Sequence, residues 1–326
     1  MSSGPLRTLV RASDLPFFPD FFLAGAPRCG TTSISKVLAR HPQICFSRPK
    51  EVNYFIDATP ESLASIGASY LDRYFPHYDP SRHLAVGEGS VSYLYYPDAL
   101  GLILAIQPKA RFLVAVRNPI DMLRSYHLRM LYLLEEDEVS FERAWDLQEA
   151  RLRGERIPRR CGDPRRLLYR EVGSLGKHVE RLLALAGRER CFLVLNDDLK
   201  ARPQEVYAEM LRFLQVSEQM DFLLGRDGQL RFPQRLRSRG YRWRWLQTLL
   251  YKPPERLFRA AERTELRRGV RPSARKRLHK RLLRFNRVEI SPAPLAPQVR
   301  AKLRQAFDTD IRTLGEILGR DLSHWQ

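Results

Sequence analysis

One stretch constrains this chain more than any other: Phe21 to Ser33 reads FFLAGAPRCGTTS, a strand-forming run that opens through a glycine-bounded loop into a hydroxyl-rich helix. A strand, a loop of small residues and a helix in that order aim backbone N–H groups and the positive end of the helix at an anion. The stretch therefore reads as a phosphate cradle. Gly25 and Gly30 have the spacing of the GxxxxGK[ST] nucleotide loop, but Thr31 stands where a nucleotide triphosphatase keeps its lysine. The cation lies inside the loop instead, at Arg28, where it would reach a 5′-phosphate and whatever leaves from it.

The surrounding pattern supplies a fold for such a loop. Residues 21–25 read as a buried strand, and residues 31–40 as a helix with Ile34, Val37 and Leu38 on one face, stopped by His41-Pro42. A second strand, RFLVAVR, covers 111–117, and Pro119 then opens a helix through DMLRSYHLRMLYLL. CFLVL at 191–195 is a third core strand, between the helical patterns KHVERLLALAG and EVYAEMLRFLQV. This alternation predicts an α/β fold of P-loop, Rossmann-like type, a mostly parallel sheet flanked by helices. The expected organisation is an N-terminal extension at 1–19 and one domain at 20–326, which includes an Arg-rich helical segment at 226–290 and a final helix at 298–318. That helix carries Leu303, Phe307, Ile311 and Leu314 at helical spacing.

Charge is concentrated rather than spread. The chain of 326 residues has a net charge of +19, and 44% of it is hydrophobic, enough for a large core. Between Arg231 and Ile290 stand 20 Lys and Arg against four acids, so most of the excess sits there. That segment reads as a solvated face, a platform for an anionic glycan, or a patch for an anionic membrane surface in which YRWRWLQTLLY contributes Trp and Leu. No nucleic-acid module accompanies it, so no specific nucleic acid is expected. The four cysteines are widely spaced and form neither a CxxC pair nor a Cys/His cluster, so free thiols and no metal are expected. Without an apolar leader or a membrane-spanning run, a cytoplasmic location follows, with membrane association through the basic segment left open.

In sheets of this type ligands sit beyond the carboxyl ends of the strands, where the corner at 25–33 and the corner at 117–125 would approach each other. RNPIDMLRS puts Arg117 at a strand end and Ser125 two turns into the next helix, a guanidinium and a hydroxyl for a second phosphate. A nucleotide with separate 5′ and 3′ anionic groups fits both corners. GAPRCGTTS (25–33), PKEVNYF (49–55), GEGSVSYLY (87–95), VRNPIDMLRSYH (116–127), NDDL (196–199) and ILGRDLSHW (317–325) together resemble the sulfotransferases that use 3′-phosphoadenosine-5′-phosphosulfate (PAPS), and among them bacterial members akin to the glycan O-sulfotransferase branch. The resemblance covers nearly the whole chain.

The resemblance implies transfer of a sulfuryl group from PAPS to a hydroxyl of a carbohydrate, lipid or small metabolite, leaving the bisphosphate PAP, without a metal. It implies that Arg28, Cys29, Gly30, Thr31, Thr32 and Ser33 hold the 5′-phosphosulfate, and that Arg117 and Ser125 hold the 3′-phosphate with Arg239 of RLRSRG. Glu88 is implied as general base, with Lys50 and Arg28 assisting the leaving group. His83 is the fallback base. Cys29 reads as a small loop residue rather than a nucleophile. Two positions depart from the family pattern: Arg28 stands where many relatives have lysine, and Leu175 where bacterial relatives have an aromatic contact. An ATP-dependent kinase and a non-catalytic basic membrane protein are the alternative readings. Thr31 in the lysine position and the lack of a metal carboxylate argue against the kinase.

Overall fold

The computed structural model describes residues 10–233, 238–251 and 272–325. The extension up to residue 9, and residues 234–237 and 252–271 of the Arg-rich segment, lie outside the described residues. The chain falls into two compact units. The first takes in described residues 10–122, 174–233 and 304–325, and the second 123–173, 238–251 and 272–303.

The first unit is built on a parallel sheet of five strands: β1 (Phe21–Gly25), β2 (Ile44–Phe46), β3 (Ala85–Glu88), β4 (Arg111–Val116) and β5 (Cys191–Leu195), in the order β2-β3-β1-β4-β5. Every residue of β1 is buried, which is why it reads as an unbroken apolar run. Helix α1 (Thr31–Leu38) follows β1 and buries Ile34, Val37 and Leu38 as its spacing requires. Helix α2 (Pro97–Ile106) precedes β4, and α3 (Pro119–Leu133) starts beyond it with proline in its first turn. Helix α4 (Leu175–Ala186) leads into β5, which passes directly into α5 (Asn196–Ala201) and then α6 (Pro203–Phe213).

β2 and β3 are absent from the sequence reading for a physical reason. One has three residues, and the other, AVGE, carries a glycine and ends on a carboxylate, so neither makes a run long enough for a period. Leu175, at the start of α4, is fully buried, and the N–H groups of Gly176 and Lys177 both donate to the Asp310 carboxylate at 2.9 Å. The helix start is thus capped from within the unit, and Leu175 is core.

The second unit contains an antiparallel pair that the sequence reading lacks, β6 (Ser238–Tyr241) with β7 (Arg287–Ile290). Strands of four residues, SRGY and RVEI, are too short to show a period inside an arginine-rich stretch, so the segment reads as helical throughout. Between them lie α7 (Arg244–Tyr251) and α8 (Pro272–Asn286). Fully buried Asn286 ties this layer together: its Oδ1 accepts from Trp243 N at 2.8 Å, and its Nδ2 donates to Trp243 O at 3.1 Å and Gln247 Oε1 at 3.2 Å. Elsewhere in the unit, Arg151 and Glu136 form a fully buried ion pair at 2.8 Å, to which the Tyr169 hydroxyl donates at 2.7 Å. No helix among the described residues is long and apolar enough to cross a membrane.

Helix α9 (Pro297–Leu318) buries Phe307, Ile311 and Leu314 in the first unit, at the spacing read from the sequence. Phe307 is completely buried. Truncation to alanine removes its transfer free energy and leaves a cavity, so Phe307→Ala is expected to lower unfolding free energy by about 3–5 kcal/mol, read from the midpoint of a urea titration at unchanged slope.

Candidate active site

Parallel pairing places the carboxyl ends of β3, β1, β4 and β5 side by side, and the residues that follow each end form one edge. Beyond β1 the loop stays attached to β4 for one more residue, through Ala26 N–H donating to Ala115 O at 2.8 Å. It then turns sharply. Arg28 has φ +65°, and Gly30, the residue that caps α1, has φ +100°. Gly30 is required twice over, because a Cβ there would also lie 2.8 Å from the side-chain nitrogen of Asn196. The first N–H groups of α1, from Thr31 and Thr32, have no intrahelical acceptor by geometry and face outward from the helix start. Thr31 is buried, Ser33 half-buried and Thr32 exposed.

Cys29 is fully buried and its Sγ lies 3.5 Å from Pro27 O. Burial pushes its thiol up to about 12, against the charges of Arg117 and Arg28. It stays protonated, which removes it as a nucleophile and leaves it as a small loop residue. Arg117 is close enough for its charge to act on that thiol, so the guanidinium at the end of β4 lies by the anion loop. It is 8% exposed and pairs with Asp121 at 3.2 Å.

Glu88, the last residue of β3, is completely buried. Its Oε2 accepts from the hydroxyls of Tyr70 at 2.6 Å and Tyr93 at 3.0 Å, and its Oε1 accepts from Ser90 Oγ. Burial raises the carboxyl to about 7; the three hydroxyls pull it down and the charge of Glu51 pushes it up. Both phenols are raised well above their ordinary value, chiefly by burial, and so remain donors. Ser90 in turn accepts from Asn53 N at 2.8 Å. That bond fixes the segment carrying Lys50, whose amine pairs with Glu51, whose other oxygen accepts from Val91 N at 3.1 Å. Lys50 runs past the end of β3: a Cβ on Gly89 would lie 3.2 Å from its Cγ.

The remaining expected residues separate into two groups. Arg28, Cys29, Gly30, Thr31, Thr32, Ser33, Lys50, Glu88 and Arg117 all belong to the first unit, at the carboxyl edge of its sheet. Ser125 and Arg239 belong to the second, where Ser125 Oγ lies 3.0 Å from the hydroxyl of Ser238, the residue before Arg239. Arg239 is half-buried on β6 opposite Glu289. His83 precedes the amino end of β3, the opposite edge of the sheet from Glu88, and its Nδ1 accepts from Asp79 N at 2.9 Å. Burial and the charge of Arg82 lower its basicity. It cannot substitute for Glu88 there.

Tyr70, Ser90, Tyr93, Asn118, Asn196 and Trp325 contribute to this edge without having been singled out from the sequence. Asn196 and Trp325 lie in motifs that were noted, NDDL and ILGRDLSHW, but a side chain's partner across a fold leaves no local signature. Tyr70 carries no signal at all.

Comparison with known proteins bears on the family and the fold. The sequence profile of the family described as "Sulfotransferase domain" matches residues 18–226. The membrane-associated sulfotransferase kil1 of Dictyostelium discoideum is 26% identical over 130 residues, which are 38% of this chain and 26% of that protein, so the chain spans about a quarter of that relative's length. The crystal structure of a sulfotransferase from Alicyclobacillus acidocaldarius superposes with a TM-score of 0.61 at 24% identity, covering 94% of this chain and 98% of that one, and shares its fold.

The environment of Glu88 has a consequence for stability. The folded chain retains a proton on this carboxyl that the unfolded chain has already lost, across the window from the ordinary 4.5 to about 7. Stability contributed by the protonated form is therefore lost as pH rises through that window, by an amount on the order of 3 kcal/mol. Glu88→Gln is expected to flatten this dependence and to match or exceed the unaltered chain at pH 8, as measured by urea unfolding at pH 5 and pH 8.

Proposed function

This chain belongs to the sulfotransferase family, and from that premise we propose that it transfers a sulfuryl group from PAPS to a hydroxyl on a carbohydrate, lipid or small metabolite, with Glu88 as general base. The observation that carries the reading is the convergence on one sheet edge of a lysine-less anion loop, the Arg117 guanidinium and a buried carboxyl with a pKa near neutrality. The residues present suit PAPS: the turn at 28–30 and the start of α1 offer N–H groups to its 5′ end, and Arg117 offers a cation to its 3′-phosphate.

When bound, PAPS supplies an activated sulfuryl group whose S–O bond to the 5′-phosphate breaks as the acceptor oxygen bonds to sulfur, releasing PAP. Glu88 takes the acceptor's proton. A carboxyl with a pKa of about 7 is half-ionised at neutral pH, close to the optimum for a general base. Three hydroxyls meet its two oxygens, which together offer about four acceptor positions, so one remains for the acceptor's proton. Arg28 and Lys50 neutralise the charge that grows on the bridging oxygen, Lys50 by turning from its partner Glu51. By analogy with phosphoryl transfer, such a reaction depends mainly on positioning and on cations placed beforehand.

The second unit supports a finer reading of the partner, peripheral contact with an anionic membrane or anionic glycan through 231–290. Trp245 is 67% exposed, and Leu249, Leu278 and Phe285 are exposed among arginines; the relative named as membrane-associated is in keeping with it. Flotation with vesicles of phosphatidylcholine alone, and with a fifth of phosphatidylserine, tests it: binding to the anionic vesicles alone is expected, and to neither set if the face is merely solvated.

The test of the reaction is calorimetric titration with PAP and with ATP and magnesium, followed by an acceptor screen with radiolabelled PAPS. PAP is expected to bind and ATP to bind far more weakly; the reverse preference would overturn the assignment. Glu88→Gln is expected to reduce kcat by about 10²–10⁴-fold while leaving PAP affinity within a factor of about three. Unchanged turnover in that variant removes Glu88 from the role of base.

A further inference from the structure

Three corners at the carboxyl edge of the first unit are tied to one another by side chains that take no part in the transfer. β4 and β5 pair in register up to Val116 and Leu195, so Arg117 and Asn196 leave the sheet side by side. Asn196 is 5% exposed and its Nδ2 donates to Cys29 O at 3.0 Å. A trans peptide is planar with its C=O and N–H pointing in opposite directions. Holding the Cys29 carbonyl toward Asn196 therefore turns the Gly30 N–H away from it, to the side on which an anion is received. The Asn196 Oδ1 is buried with no donor among the described residues. That orphan acceptor is a cost the ligand-free chain carries beside the bond to the Cys29 carbonyl.

The next residue, Asp197, accepts from the Trp325 indole N–H at 3.3 Å and from Lys200 at 2.5 Å. Burial acts to raise its carboxyl, but Lys200, Trp325 and the charge of Arg117 outweigh it and hold the group below its ordinary value. Trp325 is 3% exposed. Its backbone oxygen accepts from Asn118 Nδ2 at 3.0 Å, and the Asn118 Oδ1 accepts from Ile120 N at 2.9 Å at the start of α3. Trp325 thus bridges the corner after β4, which carries Arg117, and the corner after β5, which holds the anion loop. Arg320 secures the same tail by donating both guanidinium nitrogens to Asp198, at 3.1 and 3.2 Å.

We propose that Asn196, Asp197 and Trp325 form a strut that holds the anion loop and Arg117 at a fixed separation, which makes the tail residue Trp325 a positioning residue for the 5′ and 3′ ends of the nucleotide. This rests on the reading of that edge as the PAPS site. The strut acts on affinity more than on stability, and the two are separable. Trp325→Phe keeps the ring and loses the N–H. Asn196→Leu keeps the branching, removes the unpaired acceptor and loses the grip on the Cys29 carbonyl.

The experiment is calorimetric titration of PAP into the full chain and both variants, with thermal melting of each without ligand and KM values for PAPS and acceptor. Each variant is expected to bind PAP about tenfold more weakly, the effect of one lost hydrogen bond in the site. KM for PAPS is expected to rise with acceptor KM unchanged. Ligand-free Asn196→Leu exchanges one unpaired acceptor, its own Oδ1, for another, the Cys29 carbonyl, so it is expected to melt close to the unaltered chain. PAP dissociation constants within twofold of the unaltered chain in both variants overturn the strut while leaving the PAPS reading intact. Failure of the unaltered chain itself to bind PAP removes both.

Discussion

The hydrogen bonds between β1 and β4 are the constraint on which the rest of the molecule depends. They run from Phe21 opposite Arg111 to Leu23 opposite Leu113, slip by one residue at a bulge, resume with Gly25 opposite Val114, and continue past the strand as Ala26 N–H to Ala115 O. Because the ladder carries on into the loop, the glycine-bounded turn cannot drift from the end of β4. The guanidinium of Arg117 consequently sits where its field reaches the interior of the loop at Cys29. Shift the pairing by one residue and β1 would turn its side chains to the opposite faces of the sheet, taking the glycine-bounded turn out of the edge.

The second determinant is desolvation. Glu88 ends a strand that is buried at every position, so its carboxyl has no water and depends on Tyr70, Tyr93 and Ser90 for every hydrogen bond. Burial raises the group further than those hydroxyls lower it, leaving it near neutrality rather than in the ordinary carboxylate range. A carboxylate in open solution would be ionised and weakly basic, and a fully apolar pocket would hold it neutral. Three hydroxyls in a dry site place it between the two.

The parts of this arrangement that were legible in the sequence are those written in local pattern. FFLAG, RFLVAV and CFLVL are continuous apolar runs because strands covered on both faces have no polar side. The amphipathic spacing in α1 and α9 is equally local, and Phe307, Ile311 and Leu314 are buried as that spacing indicates. The position of Arg117 followed from the topology those runs imply. What could not be read is whatever depends on a partner distant in sequence. Tyr70 reaches Glu88 from a helix 18 residues away, and Asn196 reaches Cys29 across 167 residues. AVGE has too few apolar positions to announce a strand, so nothing local marked Glu88 as the buried end of one. The β6–β7 pair hid for a similar reason, since SRGY and RVEI are too short to show a period.

The buried state of Cys29 has a bearing on how the molecule ages. A thiol at the mouth of a helix and beside two arginines is ordinarily the sort that ionises and reacts. Here it is sealed from solvent and held protonated, so peroxide and alkylating reagents find no thiolate in the centre of the loop. The turn between β1 and α1 is thereby built around a thiol that solvent does not reach, and the neighbouring arginines leave it no more reactive than an aliphatic side chain of its size.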